Sequence, residues 1–145
     1  MADIYAAVRL GGVHREAARH ALHLLWDQFG VDGEPLHRSV VAHHLADLQD
    51  TAEEALLWDT RALDSAYVRG VPLDEGLLGF QPSLYLSLAD SHRLVGDFEM
   101  ARMQLALARG HANVLADVAF GRVIRAGVDH VATLLAAEST ERVAC

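Results

Sequence analysis

Lysine is absent from this chain. All twelve basic residues are arginine, which excludes a Schiff-base lysine and a lysine general base. Cysteine occurs once, at the last position, Cys145. No internal disulfide can form, and that suits a reducing compartment. Prolines number only three, and runs of β-branched residues are short, which disfavours a β-rich fold. Runs of basic residues are missing too. With a formal net charge of −8, the chain lacks the basic patch that nucleic acid or an anionic membrane surface requires. No apolar stretch approaches the ~18 residues of a membrane span. The first ten residues carry Asp3 and Arg9 without an apolar core, unlike a signal peptide. Residence in the cytoplasm is the expectation.

What the chain does contain points to helices. Hydrophobic residues make up 52% and charged residues 22%, the balance of a packed globular chain. Alanine, leucine and arginine dominate, and all three favour helix. The most regular stretch runs from Ser83 to Arg109. Tyr85, Leu88, Ala89 and His92 share one helical face. Phe98, Ala101, Leu105 and Ala108 share another, by spacings of three and four. Between them Gly96 can turn the backbone and Asp97 can cap the second helix.

With Gly96 at the turn, Tyr85, Leu88, Ala89, His92 and Ala101 fall on the consensus places of a helical hairpin, and the stretch resembles a tetratricopeptide (TPR) repeat, whose period is about 34 residues. A turn residue followed by alanine five positions later recurs at Gly12/Ala17, Asp50/Ala55, Gly96/Ala101 and Gly127/Ala132. The resemblance covers nearly the whole chain. It implies an all-α, right-handed α-solenoid of about four hairpins and eight helices, occupying residues 1–138. The hairpins are expected at about 1–30, 36–69, 82–111 and 113–138. In the first, Tyr5, Val8, Ala21 and Leu24 should be buried. In the second, Pro35 suits a first helical position, and Thr51 with Glu54 forms a capping box. Pro82 should open the third. Residues 70–81 read as an insertion loop carrying Leu77, Leu78 and Phe80, three large apolar residues fit to fold back or to meet a partner. Residues 139–145 lack a periodic face and read as a flexible tail.

The resemblance implies a non-enzymatic scaffold or adaptor that binds a protein or peptide segment in a concave groove. In its register the groove presents Arg9, His44, Asp47, Asp90, Arg93, Asp117 and Arg125. Arg9, Asp47 and Arg93 share one position in successive repeats. They can either grip a ligand's polar groups, with Arg93 holding a carboxylate through two hydrogen bonds, or pair with one another. Chaperone-binding members of the family hold a terminal carboxylate with lysines and asparagines. This chain has no lysine and only Asn113, so that function does not carry over. An alternative is a small-molecule binder or atypical enzyme whose groove is closed by the 70–81 loop. A third reading is a homodimer through exposed apolar surface at the insertion, with Leu77, Leu78 and Phe80, or at the terminal hairpin.

Nine histidines raise the question of a metal. Glu16, His20 and His23 lie on one helical face, and His43 and His44 stand near Asp47. There is no HExxH pattern and no cysteine partner, so no metal or other cofactor is assigned. The run Asp90-Ser91-His92-Arg93 cannot be a catalytic relay, because adjacent helical residues point about 100° apart. His44 as base with Asp47 as orienter is the remaining catalytic arrangement. No phosphate-binding loop, GxSxG or dinucleotide fingerprint is present, and no catalytic residue is assigned.

Overall fold

The computed structural model describes residues 1–68, 71–72, 75–113, 115 and 119–142. The protein is all-α. Seven helices lie among the described residues, with a single two-residue ribbon between the fourth and the fifth. The chain forms two compact units, Met1–Leu77 and Leu78–Cys145, and the boundary falls inside a helix.

The first unit contains α1 (Ala2–Gly11), α2 (Arg15–Phe29), α3 (Pro35–Asp47) and α4 (Ala52–Ser65). Local chemistry sets their ends. Pro35 takes the first turn of α3, where its missing N–H costs nothing, and the Glu34 carboxylate accepts from the N–H groups of Leu36 and His37. Thr51 caps α4 by accepting from the Glu54 N–H at 3.2 Å, and its hydroxyl donates to the Glu54 carboxylate at 3.0 Å. Helix α3 packs against α1, α2 and α4, so it is buried on several faces. Val40, Val41, Ala42, Leu45 and Ala46 are all in the core. Ser39, buried with them, donates to the Ala62 carbonyl at 2.8 Å, which removes the cost of an unpaired hydroxyl.

The first hairpin departs from the expected register. Ile4, Ala7, Ala18 and Leu22 form its core, whereas Tyr5 and Leu24 are 52% and 56% exposed and Ala17 lies outside. The cause is the turn. His14 is the N-cap and α2 begins at Arg15, so the connection places Ala18 and Leu22 inward by their spacing of four.

The segment 70–81 also differs. Tyr67–Val68 and Val71–Pro72 form a short antiparallel ribbon, pairing Tyr67 with Pro72 and Val68 with Val71. Helix α5 then begins at Glu75 and runs to Leu94, so Pro82 lies inside it instead of opening it. The helix starts earlier because Leu77, Leu84 and Leu88 are apolar at helical spacing and all three are buried. Leu77 is wholly buried and is no partner surface, while Leu78 is 49% exposed and Phe80 is half-buried. The predicted residues at 69–70 and 73–74 lie outside the described residues.

Beyond α5 the second unit contains α6 (Phe98–Ala112) and α7 (Ala119–Ala136). Gly96, at φ +81°, ends α5, and Asp97 caps α6 by accepting from the Met100 N–H at 3.2 Å. Ala89, Ala101, Leu105, Ala108 and Ala112 meet Ile124, Val128, Val131 and Leu135 in one core. Here the expected fourth hairpin fails. Gly127 makes no turn and sits within α7. Its value is close approach, since a Cβ there would stand 2.7 Å from Leu86 Cδ2. Ala132, expected as a packing alanine after a turn, is instead half-buried midway along α7. The predicted helix start at Val114 lies outside the described residues.

Candidate functional site

The most developed polar arrangement is built on Arg93. It occupies the last turn of α5, and its side chain is only 1% exposed. Its Nε donates to Asp90 Oδ1 at 2.8 Å, and a terminal nitrogen lies 2.7 Å from the same oxygen. The other terminal nitrogen donates to the main-chain carbonyls of Ser139 and Glu141, at 2.7 and 3.0 Å. A buried guanidinium needs acceptors on all sides. Here one carboxylate and two peptide carbonyls supply them. Arg93 is therefore neither open to solvent nor part of a charge row. Its acidic partner lies three residues back on the same helix.

The segment that Arg93 holds is the stretch read as a flexible tail. It is aimed by the end of α7. The Ser139 N–H donates to the Leu134 carbonyl and the Glu138 N–H to the Leu135 carbonyl, both at 3.0 Å. This 6→1 and 5→2 pair is the Schellman motif. The same motif closes α5, from Asp97 to His92 and from Gly96 to Arg93. In α5 the left-handed position is Gly96. In α7 it is Glu138, at φ +48°, where a side chain costs about 1–2 kcal/mol. The Glu138 carboxylate reaches Arg102 at 3.1 Å. Beyond it the Glu141 N–H donates to Ser139 Oγ at 3.2 Å.

In the first unit a histidine cluster lies on α3. His44 Nδ1 is 3.8 Å from Asp47 Oδ2, and His43 Nδ1 is 3.9 Å from Oδ1 of the buried Asp59 on α4. The two imidazoles meet edge-on at 5.2 Å. Burial pushes the His43 imidazole down to about 4, with Asp47 opposing the shift and His44 adding to it. For Asp47, burial raises the carboxyl. Its side chain is 66% exposed, however, so that push is weak, and contact with His44 and the charges of His43, His44 and Arg15 hold it below the usual carboxylate value. The candidate ligand atoms of His43, His44 and Asp47 lie within 4.8 Å of one another. Imidazole nitrogens and a carboxylate oxygen are ligand types that zinc takes, so the cluster is one that could hold an ion.

The remaining predicted residues are dispersed. Arg9 is exposed and makes no ion pair among the described residues. Arg125 is half-buried beside a cleft of about 170 Å³ that Arg109 and Asp129 also line. Asp117 lies outside the described residues. Glu16 is paired to Arg19, and His23 stands edge-on to Trp58. The DSHR run is divided: Asp90 serves Arg93, Ser91 is buried, and His92 Nδ1 faces Asp97 Oδ2 at 3.5 Å. Sequence reasoning missed Ser139, Glu141 and Asp59. The carbonyls at 139 and 141 bear no residue-type signal. Asp59 reads as one more charge on an amphipathic helix.

Comparison of the chain with protein-family models, with curated proteins and with solved structures finds no match. No helix among the described residues is long and apolar enough to cross a membrane.

Proposed function

We propose that the protein is a TPR-like, non-enzymatic interaction module of the cytoplasm that binds a protein segment in irregular, extended form. The observation that carries this reading is Arg93 taking two main-chain carbonyls of the segment 139–141. Main-chain carbonyls are common to every peptide. A guanidinium fixed by Asp90 and aimed at two of them is therefore a receptor for backbone, with neighbouring side chains left to select sequence. The strained Glu138 supports the same reading, since a left-handed glutamate persists only where surrounding contacts hold it. On this account the chain's own tail occupies the place of a partner segment.

The test is a chain ended at Glu138, titrated with a synthetic peptide of residues 139–145. Saturable binding, weakened at least tenfold by Arg93→Lys, is expected, because lysine keeps the charge and loses the fork. Circular dichroism checks that both proteins stay folded. Absence of saturable binding by the folded, shortened chain contradicts the proposal.

A further inference from the structure

The first unit holds a second arginine arrangement, distinct from Arg93. A cleft of about 440 Å³ is lined by Trp26 of α2, Arg38 of α3, Arg61, Asp64 and Ser65 of α4, and Tyr67. Its volume lies within the range of small-ligand sites. Trp26 and Trp58 pack edge to face, with ring centroids 5.2 Å apart and planes at 85°. Each carries an arginine. The Arg38 guanidinium carbon lies 4.0 Å from the Trp26 ring centroid, and that of Arg61 lies 4.4 Å from the Trp58 ring centroid.

Contact with an indole face does three things to a guanidinium. It holds the cation by attraction to the ring. It limits the side-chain freedom that binding would otherwise remove. Where the planes lie parallel, it also leaves the N–H donors directed outward around the edge. Arg38 spends one donor on the Gly30 carbonyl. Arg61 has no acceptor and no ion pair among the described residues. Asp64, three residues from Arg61, lines the same cleft without pairing with it. In a chain of net charge −8, this cleft carries two arginines with no carboxylate bound to either among the described residues. Arg15, Arg19, Arg93 and Arg102 are all engaged by Asp or Glu.

We infer that this cleft is an oxyanion-binding site. Arg61 and Arg38 donate to a phosphate or carboxylate group, and the Trp26 indole flanks whatever carries it. Asp64 opposes the anion and sets how tightly it is held. Phosphate and carboxylate share this chemistry, and the experiment separates them.

Trp26 and Trp58 are the only two tryptophans; Trp26 lines the cleft and Trp58 packs edge-on against Trp26, so tryptophan emission reports on the cleft and its adjoining core. The intact protein is titrated with inorganic phosphate and, separately, with succinate. Ionic strength is held constant with sodium chloride. A saturable emission change with either anion and none with chloride supports the inference. Saturation by phosphate alone assigns a phosphoryl ligand, and saturation by succinate assigns a carboxylate. Arg61→Gln raises the half-saturating concentration about tenfold or more, and Asp64→Asn lowers it. An emission change that tracks ionic strength, or one that Arg61→Gln leaves intact in a protein of unchanged circular dichroism, overturns the inference. Should Arg61→Gln fail to fold, Asp64→Asn decides: tighter binding supports the site, and unchanged binding overturns it.

Discussion

Arg93 in the second unit and Arg61 in the first are the same side chain put to opposite uses. Arg93 is buried, and its donors go to Asp90 and to two carbonyls of its own chain. Arg61 is half-buried, rests on an indole and donates to nothing among the described residues. Burial separates the two. A guanidinium removed from water must have its donors taken up, here by Asp90 and by the backbone of the 139–141 segment. One kept at the surface against an aromatic face keeps its hydration and its capacity to bind. Position on a helix does not distinguish them, because Arg93 follows the buried Ala89 by four residues and Arg61 follows the buried Trp58 by three.

The largest expected effect breaks the comparison directly. Arg93→Leu leaves Asp90 and the carbonyls at 139 and 141 without their donor. By the cost of breaking a buried charge pair it should destabilise the second unit by about 3 kcal/mol. Arg61→Gln should stay within about 0.5 kcal/mol of the parent, as surface substitutions do. Denaturant unfolding followed by circular dichroism measures both. Equal losses would erase the distinction.

A comparable effect tests burial from the first unit's side. His43 is held neutral, with its pKa near 4 instead of 6.5. Between those values the unfolded chain binds more protons than the folded one. His43 therefore costs no stability above about pH 6.5, and stability falls as pH drops from there to about 4, by at most about 3 kcal/mol. His43→Leu should flatten that slope. NMR titration of the imidazole checks the shift itself, and a His43 pKa at or above its ordinary value would contradict the burial.

The smallest effect concerns the tail. Glu138→Gly removes the left-handed strain and also the exposed pair with Arg102. The first gains about 1 kcal/mol and the second loses about 0.5 kcal/mol, so thermal unfolding should show slight stabilisation. Clear destabilisation would mean that the Arg102 contact, not Arg93, anchors the segment.

What was legible in the sequence was local. Pro35, the Thr51–Glu54 cap and the Gly96–Asp97 turn act within a few residues, and each lies where its chemistry demands. Ambiguity began where one residue type serves two ends. Gly127 reads equally as a turn or as a close approach, and only the packing of Leu86 decides. Ala17 and Ala18 are adjacent, and a turn one residue longer selects the second. The candidate site was legible only in part. Arg93 could be singled out, but its partner carbonyl lies 48 residues away and carries no side-chain signature. The stacking of Arg38 on Trp26 likewise depends on how α2 and α3 pack.

The most direct measurement is hydrogen exchange at the arginine Nε–H groups, resolved by NMR in the intact protein. The account predicts a strongly protected Arg93 Nε–H, held by Asp90 at 2.8 Å, beside freely exchanging signals from Arg61 and Arg9. An Arg93 Nε–H that exchanges as fast as that of Arg61 would contradict it, and with it the reading of the 139–141 segment as a bound peptide.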